Sequence, residues 1–443
     1  MTSKFKKRLG RLSKGRGQSS PVEAQEEVVE PAPVETKAST GERDDARPQF
    51  SKVKRKKVTA SSNPFRSGST STTKSKPIAL PGEVGEIEGY SYRVVREAHP
   101  MSYSHGETPL TGIERLTTDQ LSLLFLEEIG EVPDLKQWLF LDTETTGLAG
   151  GTGTLPFVLG IARWDGEAWV TEQFILERPG RERGMLQVLT ERLKDAEVLV
   201  TYNGKSYDWP LIRARCVMNR LPEPQLERHL DLLHVFRRLY GKELDDVRLT
   251  TIERERLGFS RVDDLPGSEV PEVYFKYLRT GRPERFLGVI KHNVDDLLAM
   301  VGMMSHLEST LSTPEVSLSA WAELALAKMH LRLEGENEAL NQLRRALKRG
   351  EVGSEAWFKS LELAGALLKR RGAFHEAIRL FEEAEEVSGA LDEVTLEGLA
   401  KLYEHQAKDY GRAKECALKL VEAYNSPSHA HRLQRIEGKL NRD

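Results

Sequence analysis

Cysteine is scarce in this chain of 443 residues, and its scarcity excludes two ways of stabilising a fold. Cys216 and Cys416 are the only cysteines, they lie far apart in different predicted domains, and each falls within a helical pattern. Neither a disulfide framework nor a zinc site is therefore expected. The sequence also lacks an apolar run that resembles a membrane span or a signal segment. We therefore expect no membrane partner and a cytoplasmic location.

Charge is distributed unevenly along the chain. Residues 1–80 contain 18 Lys and Arg against 8 Asp and Glu, a balance of +10, whereas the whole chain carries −3. The rest of the chain is therefore acidic and does not by itself attract nucleic acid, whereas the basic N-terminal segment can. With 39% hydrophobic residues, a chain of this length is expected to form two globular domains in addition to this segment.

Residues 1–90 are predicted to form a disordered basic tail, because they are rich in Ser, Thr, Pro and charge and poor in large apolar residues. Basic clusters at residues 4–16 and 52–57 could neutralise phosphates and speed association with nucleic acid in a salt-sensitive way. One alternative is a solubilising arm without a specific partner. Another is a weak membrane-surface or protein-docking helix that would align Phe5, Leu9 and Leu12.

Two carboxylates, Asp142 and Glu144, follow an apolar run that predicts a buried β-strand over residues 138–142. Residues two apart on a strand point the same way, so the two side chains share a face. At about 4 Å such a pair repels by about 1 kcal/mol in water and about 4 kcal/mol at an effective surface dielectric. A divalent cation turns this repulsion into attraction. The alternative is a solvated strand end with two acidic residues.

Further acidic residues follow at compatible places. Asp208 lies near the start of a predicted amphipathic helix, after a short strand and an Asn-Gly-Lys turn. His292 and Asp296 are four residues apart on a later predicted helix and therefore share a face. Asp295 is an alternative ligand, but it points about 100° away from Asp296 around the helix. The order along the chain is thus D-x-E, then N-x4-D, then H-x3-D.

These three motifs resemble, in order, those of the DEDD superfamily of 3′→5′ exonucleases, which share the ribonuclease-H-like fold. Within it the chain is similar to the bacterial YprB-like proteins, in which such a domain precedes tetratricopeptide repeats. The segments LFLDTETTGLAGGTGTLPFVLGIA, HLDLLHVFRRLYG and RVDDLPGSEVP carry this resemblance. It covers residues 106–310 closely and the C-terminal third more loosely. What is known of that group is mostly predicted activity.

The resemblance implies a nuclease that hydrolyses phosphodiester bonds at single-stranded DNA or RNA ends, most specifically a 3′→5′ exonuclease. It further implies two Mg²⁺ or Mn²⁺ ions, one activating water and the other stabilising the leaving oxygen. The implied ligands are Asp142, Glu144, Asp208 and Asp296. The competing class is a catalytically silent scaffold that binds nucleic acid and recruits proteins, and the retention of all four carboxylates argues against it.

His292 departs from the family pattern. In one DEDD branch a His precedes the last Asp by five positions, and in the other a Tyr precedes it by four. His292 precedes Asp296 by four, so a histidine occupies the tyrosine spacing. A near-neutral imidazole on the same helical face could still orient or deprotonate the attacking water, so His292 is a candidate catalytic residue. The alternative is an ordinary polar residue on that face.

The pattern of residues 91–312 predicts the ribonuclease-H-like order of three strands, helix, strand, helix, strand and helices, hence a mixed α/β sheet flanked by helices. LAGGTGT, at residues 148–154, is predicted to be a tight turn rather than a phosphate loop, because it lacks the G-K-[ST] ending and precedes a strand. His229, Asp231 and His234 lack a fourth ligand, so Asp231 is expected to orient neighbouring groups and both histidines to be structural.

Other residues of this domain could contact nucleic acid. Arg178, Arg181 and Arg183 could touch a phosphate backbone, although exposed loop arginines are usually solvated. Tyr207 and Trp209 flank Asp208 and could stack on bases, with packing as the alternative for at least one.

Residues 317–443 are predicted to form an all-α, tetratricopeptide-like solenoid. Similar segments place Ala339, Ala377 and Ala413 at equivalent positions, 38 and 36 residues apart. The middle unit matches the repeat pattern best, because small and aromatic residues fall where tetratricopeptide repeats place them. The small residues let the paired helices approach closely. The residues are Gly365, Gly372, Ala377, Phe381 and Ala384. Such repeats usually hold a partner protein, and the alternative here is that they brace the catalytic domain.

Overall fold

A seven-stranded mixed sheet is the centre of the N-terminal part of the computed structural model, which describes residues 79–147, 153–312 and 318–442. Its strands are β1 Glu83–Ile87, β2 Tyr90–Pro100, β5 Trp138–Thr145, β6 Pro156–Trp164, β7 Ala168–Ile175, β8 Val198–Thr201 and β9 Arg228–Asp231. A separate small hairpin pairs β3 Ser104–His105 with β4 Thr108–Pro109.

The strand order is β1-β2-β7-β6-β5-β8-β9, so β5 lies inside the sheet. β5 pairs antiparallel with β6 and parallel with β8, and β8 pairs parallel with β9. The remaining neighbours are antiparallel. The succession β5, β6, β7, helix, β8, helix and β9 confirms the predicted order of three strands, helix, strand, helix and strand, and β1 and β2 are two further strands of the sheet.

Helices cover both faces of the sheet. They are α1 Thr118–Phe125, α2 Arg183–Lys194, α3 Asp208–Met218, α4 Leu232–Tyr240, α5 Leu249–Ile252, α6 Val270–Thr280 and α7 Glu284–Ser312. Trp138 and Phe140 of β5 pack on one face in a core that includes the C-terminal half of α7. Leu139 and Leu141 point to the other face and pack in a core with α2 and α3. Alternation along β5 thus gives each face its own core.

The C-terminal part is a succession of helices. They are α8 Ala320–Arg332, α9 Glu336–Arg349, α10 Glu355–Arg370, α11 Phe374–Ser388, α12 Glu393–Leu402, α13 Tyr410–Tyr424 and α14 Pro427–Leu440. Side chains of Ser319, Ser354 and Asp392 each accept a backbone N–H in the first turn of the helix that follows, which explains where α8, α10 and α12 begin. The structure confirms a helical region here, and its tetratricopeptide character stays a prediction.

The middle helical pair illustrates the need for small residues. A Cβ atom at Gly365 of α10 would lie 2.1 Å from Cζ of Phe381 on α11. Glycine therefore allows the two helices to approach as closely as they do. Ala364 and Ala377 are fully buried in the same core.

The structure differs from the sequence-based segmentation at several places. β1 lies within the segment predicted to be a disordered tail, because residues 83–87 pair with β2; the rest of that tail, up to residue 78, lies outside the described residues. Most of the predicted turn LAGGTGT, residues 148–152, is also outside them. Helices α8 and α9 follow directly on the sheet domain, and α8 contributes to its core. Among the described helices, none combines the length and apolarity that a membrane crossing requires.

Candidate functional site

The candidate site lies where the end of β5 meets α7. Asp142 and Glu144 point to the same face of β5 as Phe140, which is the face that α7 covers. The pairing register of β5 with β6 shifts between Glu144 and Thr145, so the ladder is irregular directly after the acidic pair. His292 and Asp296 lie one helical turn apart on α7. Two elements distant in sequence thus bring their polar residues to one place.

Glu144, His292 and Asp296 form a cluster in which one ligand atom from each residue lies within 4.8 Å of the other two. His292 Nε2 is 3.5 Å from Asp296 Oδ2. Oε1 of Glu144 is buried and has no hydrogen-bond partner among the described residues. A buried carboxylate oxygen without a partner, beside a second carboxylate, destabilises the folded state unless a cation or a proton neutralises it.

Asp208 reaches the site from the first turn of α3. Its carboxylate accepts a hydrogen bond from the Thr143 hydroxyl, and Thr143 stands between Asp142 and Glu144 on the opposite face of β5. The side chain of Asp208 is almost fully buried. The predicted third acidic residue is therefore attached to the strand that carries the first two.

Mutual repulsion and burial dominate the electrostatics of the four carboxyl groups. Burial, reinforced by the charges of Asp296 and Asp208, raises the pKa of Asp142 well above its usual range, although Asn293 donates a hydrogen bond to it. Burial raises the pKa of Glu144 to about 8 against the opposing charge of His292. Without a cation the site therefore disfavours carrying all its negative charges at neutral pH.

The pKa values of the remaining site residues are shifted for the same reasons. Burial raises the pKa of Asp208 to about 6 despite the hydrogen bond from Thr143. Burial also raises the pKa of Asp296, although the positive charges of Arg261 and His292 oppose the shift. For His292, burial lowers the pKa, but the carboxylates of Asp296 and Glu144 outweigh it and leave the pKa raised.

Asn293 is a site residue that sequence reasoning missed. It is fully buried, and its side-chain amide donates to the Asp142 carboxylate at 2.8 Å and to the Asp142 carbonyl at 3.3 Å. Gly160 lies opposite Asp142 on β6, and a Cβ atom there would be 1.8 Å from Asn293 Oδ1. The position of Asn293 directly after His292 was the sequence feature that could have identified it as a site residue. Only the fold shows that its side chain reaches β5.

Arg261 is a second residue that was missed. Its nearly buried guanidinium donates to Asp296 Oδ1 and, at 2.8 Å, to Glu253 Oε2. Glu253 in turn contacts the buried His105 at 2.8 Å through its other oxygen. Asp264 lies 2.7 Å from His292 Nδ1. Arg261 and Asp264 both belong to the segment RVDDLPGSEVP, whose resemblance to the family was the signal that could have identified them.

Asp231, His229 and His234 do not join this cluster. Asp231 accepts hydrogen bonds from the backbone N–H groups of Asn203, Lys205 and Leu233, so it holds the turn before α3 and caps α4. His229 Nε2 lies 2.8 Å from the Thr201 hydroxyl, and His234 is 3.9 Å from Asp231. Asp295 pairs with Lys291 at 2.5 Å.

Some of the residues predicted to contact nucleic acid are exposed, whereas others pack against the protein. Tyr207, beside Asp208, is 56% exposed, whereas Trp209 packs against the core of α2 and α3. Arg178 and Arg181 are exposed in the loop after β7. Arg183 donates to the Asn219 carbonyl at 2.9 Å and lies over the Tyr90 ring. Tyr207 and the two loop arginines are thus free of a packing role among the described contacts.

The sheet order and the acidic cluster define a ribonuclease-H-like domain, and the comparison with known families agrees. Residues 139–308 match the RNase_H superfamily. The chain is 32% identical over 334 residues to the uncharacterized protein YprB of Bacillus subtilis (strain 168), over 74% of this chain and 79% of that relative. It therefore belongs to the YprB-like family of the RNase_H superfamily. This membership indicates a nuclease-type hydrolase that acts on nucleic acid.

One solved structure that the chain matches in part is the family B DNA polymerase from the hyperthermophilic archaeon Pyrobaculum calidifontis. The similarity covers 59% of this chain and 33% of the polymerase, at 17% sequence identity and a TM-score of 0.34. A likeness at that level carries no argument about function.

The residues of the site fit a divalent cation. Carboxylate oxygens are the ligands that Mg²⁺ and Mn²⁺ prefer, and imidazole adds affinity for transition metals. Glu144 Oε1 is buried without a hydrogen-bond partner among the described residues, and burial together with the neighbouring carboxylates raises the pKa of Asp142 and Glu144, so a bound cation would stabilise their ionised forms. Glu144, Asp296, Asp142 and Asp208 are the candidate carboxylate ligands.

Proposed function

We propose that this protein is a metal-dependent 3′→5′ exonuclease that hydrolyses phosphodiester bonds at single-stranded DNA or RNA ends. The observation that carries the proposal is the meeting of Asp142 and Glu144 from β5 with Asp296 from α7, with Asp208 attached to β5 through Thr143. Membership of the RNase_H superfamily supports the nuclease class. The direction of cleavage and the use of two ions come from the motif resemblance.

Bound Mg²⁺ or Mn²⁺, with two ions held by the four carboxylates, would activate water and stabilise the leaving oxygen. The chain's own residues prepare the site for this. Asn293 fixes the rotamer of Asp142, and Thr143 fixes that of Asp208. Arg261 holds Asp296 in place. His292 Nε2 can act either as a proton acceptor for the attacking water or as a cation ligand, since one lone pair serves only one role at a time.

Recognition of the substrate strand is assigned to exposed groups around the site. Tyr207 offers a ring on which an unpaired base can stack next to Asp208. The basic residues of the N-terminal segment would add a salt-dependent attraction to phosphates. A protein partner, where one exists, would bind the C-terminal helices.

The test compares wild-type protein with the Asp142→Asn variant. Full-length protein is freed of metal with EDTA, resupplied with Mn²⁺ and incubated with a 5′-labelled single-stranded oligonucleotide. We expect a ladder of products shortened from the 3′ end, no products without metal, and none from Asp142→Asn, because the substitution removes a ligand charge. Asp295→Asn is the matched control, since Asp295 lies beside Asp296 but pairs with Lys291.

Three results would contradict the proposal in whole or in part. Cleavage at the wild-type rate by Asp142→Asn or by metal-free protein would show that the carboxylate site is not the active site. Binding of the oligonucleotide without cleavage at any Mn²⁺ concentration would assign the protein to the silent scaffold class. Immediate release of the 5′-labelled nucleotide would leave the nuclease class intact but reverse the direction of cleavage.

A further inference from the structure

The surroundings of His292 on α7 give its two ring nitrogens different environments. Nδ1 lies 2.7 Å from Oδ1 of Asp264. Nε2 faces the opposite way and lies 3.5 Å from Oδ2 of Asp296. The side chain is 15% exposed, so little water competes for either nitrogen. One nitrogen is therefore held by a carboxylate, while the other points into the acidic cluster.

Asp264 determines which nitrogen carries the proton when the ring is neutral. A carboxylate can only accept, so the contact with Asp264 places the hydrogen on Nδ1 and leaves the lone pair on Nε2. Arg261 Nη1 is also 3.0 Å from Nδ1 and could donate only to a lone pair there, but the Asp264 contact is shorter and the Arg261 guanidinium already donates to Asp296 and Glu253. Histidines that bind metals typically donate their second ring N–H to a carboxylate in this way.

Glu144 and Asp296 complete a set of three converging donors with His292. Their ligand atoms lie within 4.8 Å of one another. Oε1 of the nine-tenths buried Glu144 has no partner among the described residues. The set comes from one strand and one helix packed in the same core, so its members do not depend on a loop for their position.

We propose that His292 is a metal ligand that binds a divalent transition-metal ion through Nε2, together with Glu144 and Asp296. The inference deepens the proposed nuclease function and rests on it for the role of the ion in catalysis. A site with one imidazole and two carboxylates favours Mn²⁺ over Mg²⁺, because imidazole suits transition metals whereas Mg²⁺ prefers oxygen ligands alone. A lone pair bound to a cation cannot accept a proton, so His292 positions the ion and does not deprotonate the water.

The test is spectroscopic and uses full-length, metal-free protein with one equivalent of Mn²⁺. Electron spin-echo envelope modulation detects the nitrogen of an imidazole bound to Mn²⁺. We expect this modulation in the wild type and its loss in His292→Gln, with Mn²⁺ affinity lowered more than Mg²⁺ affinity. His234→Gln is the matched control, because that histidine is 40% exposed and contacts only Asp231 of the nearby carboxylates.

Asp264→Asn adds a second, milder variant that leaves all three ligands in place. It should lower Mn²⁺ affinity by about 10–100-fold while the nitrogen modulation of the residual complex persists. Circular dichroism confirms that each variant is folded.

The outcomes separate this inference from the proposed function. Wild-type protein that binds Mn²⁺ and cleaves DNA or RNA, but shows no imidazole modulation, overturns the ligand role and leaves the nuclease. Imidazole modulation without any cleavage supports the ligand role and removes the nuclease. Folded wild-type protein that binds no Mn²⁺ overturns both. Equal losses of Mg²⁺ and Mn²⁺ affinity in His292→Gln contradict the predicted metal preference.

Discussion

At the scale of single residues, the position of Asp142 depends on a glycine in the next strand. Asn293 fills the space above Gly160 and reaches Asp142 with its amide. Any side chain at Gly160 would occupy the place of the Asn293 amide, because even a Cβ atom would be 1.8 Å from Oδ1. A backbone position without a side chain thus determines how a candidate ligand is held.

We predict that Gly160→Ala lowers both stability and Mn²⁺ affinity. Overpacking of this kind costs about 1–3 kcal/mol of unfolding free energy, and displacing Asn293 should weaken metal binding about 10–100-fold. Denaturant unfolding and Mn²⁺ titration measure the two effects. Gly288→Ala on α7, the helix that carries Asn293, is the control, because a Cβ atom there meets nothing within 4 Å. It should stabilise the protein by about 0.5–1 kcal/mol.

The double variant Gly160→Ala/Asn293→Ala distinguishes positioning from simple packing. Removing the amide makes room for the new methyl group, so part of the lost stability should return while Mn²⁺ affinity stays low. Recovery of both quantities would show that Asn293 does not position Asp142.

At the scale of elements, one buried carboxylate binds two basic residues of α14, the last described helix. Glu404 lies in the π-helical turn Tyr403–Ala407 that follows α12 and is 1% exposed. Arg435 of α14 donates to both of its oxygens, at 2.8 and 2.7 Å, and Lys439 donates at 2.9 Å. Burial opposes ionisation of Glu404, but these cations outweigh it and lower its pKa to about 2.

We predict that Glu404→Gln destabilises the C-terminal helices in a pH-dependent way. The folded pKa lies below the ordinary glutamate pKa, so ionised Glu404 stabilises the fold at neutral pH. This contribution, about 1–3 kcal/mol for hydrogen bonds to a charged group, is lost as the pH falls from roughly 4.5 towards 2. Unfolding followed across this range should show the difference between wild type and variant shrinking towards acid pH.

The control for this prediction is Glu437→Gln on α14. Glu437 pairs with Lys414 at 2.9 Å but is 42% exposed, so its loss should change stability little at any pH. A Glu404→Gln effect that is equally large at pH 7 and at pH 2 would contradict the explanation by ionisation.

At the scale of the whole molecule, α8 joins the sheet domain to the helical region. Leu326 and Met329 belong to the core that contains Phe140 and the C-terminal half of α7. Leu324 and Ala327, on another side of α8, belong to the core of the C-terminal helices. The boundary predicted between residues 312 and 317 therefore lies before a helix that both cores share.

We predict that residues 79–312 alone are less stable than residues 79–349, which retain α8 and its partner α9. Cutting at 312 exposes the surface covered by Leu326 and Met329, and burial of each such side chain contributes about 1.5–3 kcal/mol. Thermal unfolding and size-exclusion chromatography compare the two fragments. A fragment of residues 79–312 that is monodisperse and melts at the same temperature would show that α8 is not needed by the sheet domain.

Much of the fold and part of the site could be predicted from local patterns. The predicted order of three strands, helix, strand, helix and strand is found in the structure, and the strand of Asp142 is longer than predicted but lies in the predicted place. The spacing of His292 and Asp296 predicted their shared helical face, whereas their meeting with Glu144 was implied only by the motif resemblance. These predictions succeed because alternation, helical periodicity and turn residues act over a few residues.

The sequence by itself determined the order of the elements, the acidic motifs and the uneven charge, since each depends on neighbouring residues. Only the tertiary structure decided that Asn293 reaches Asp142 over Gly160, that Arg261 holds Asp296, that Asp264 orients His292, and that α8 belongs to two cores. These contacts join residues distant in the chain. Their partners are selected by packing and by the need to compensate buried charge, and neither is visible in a local pattern.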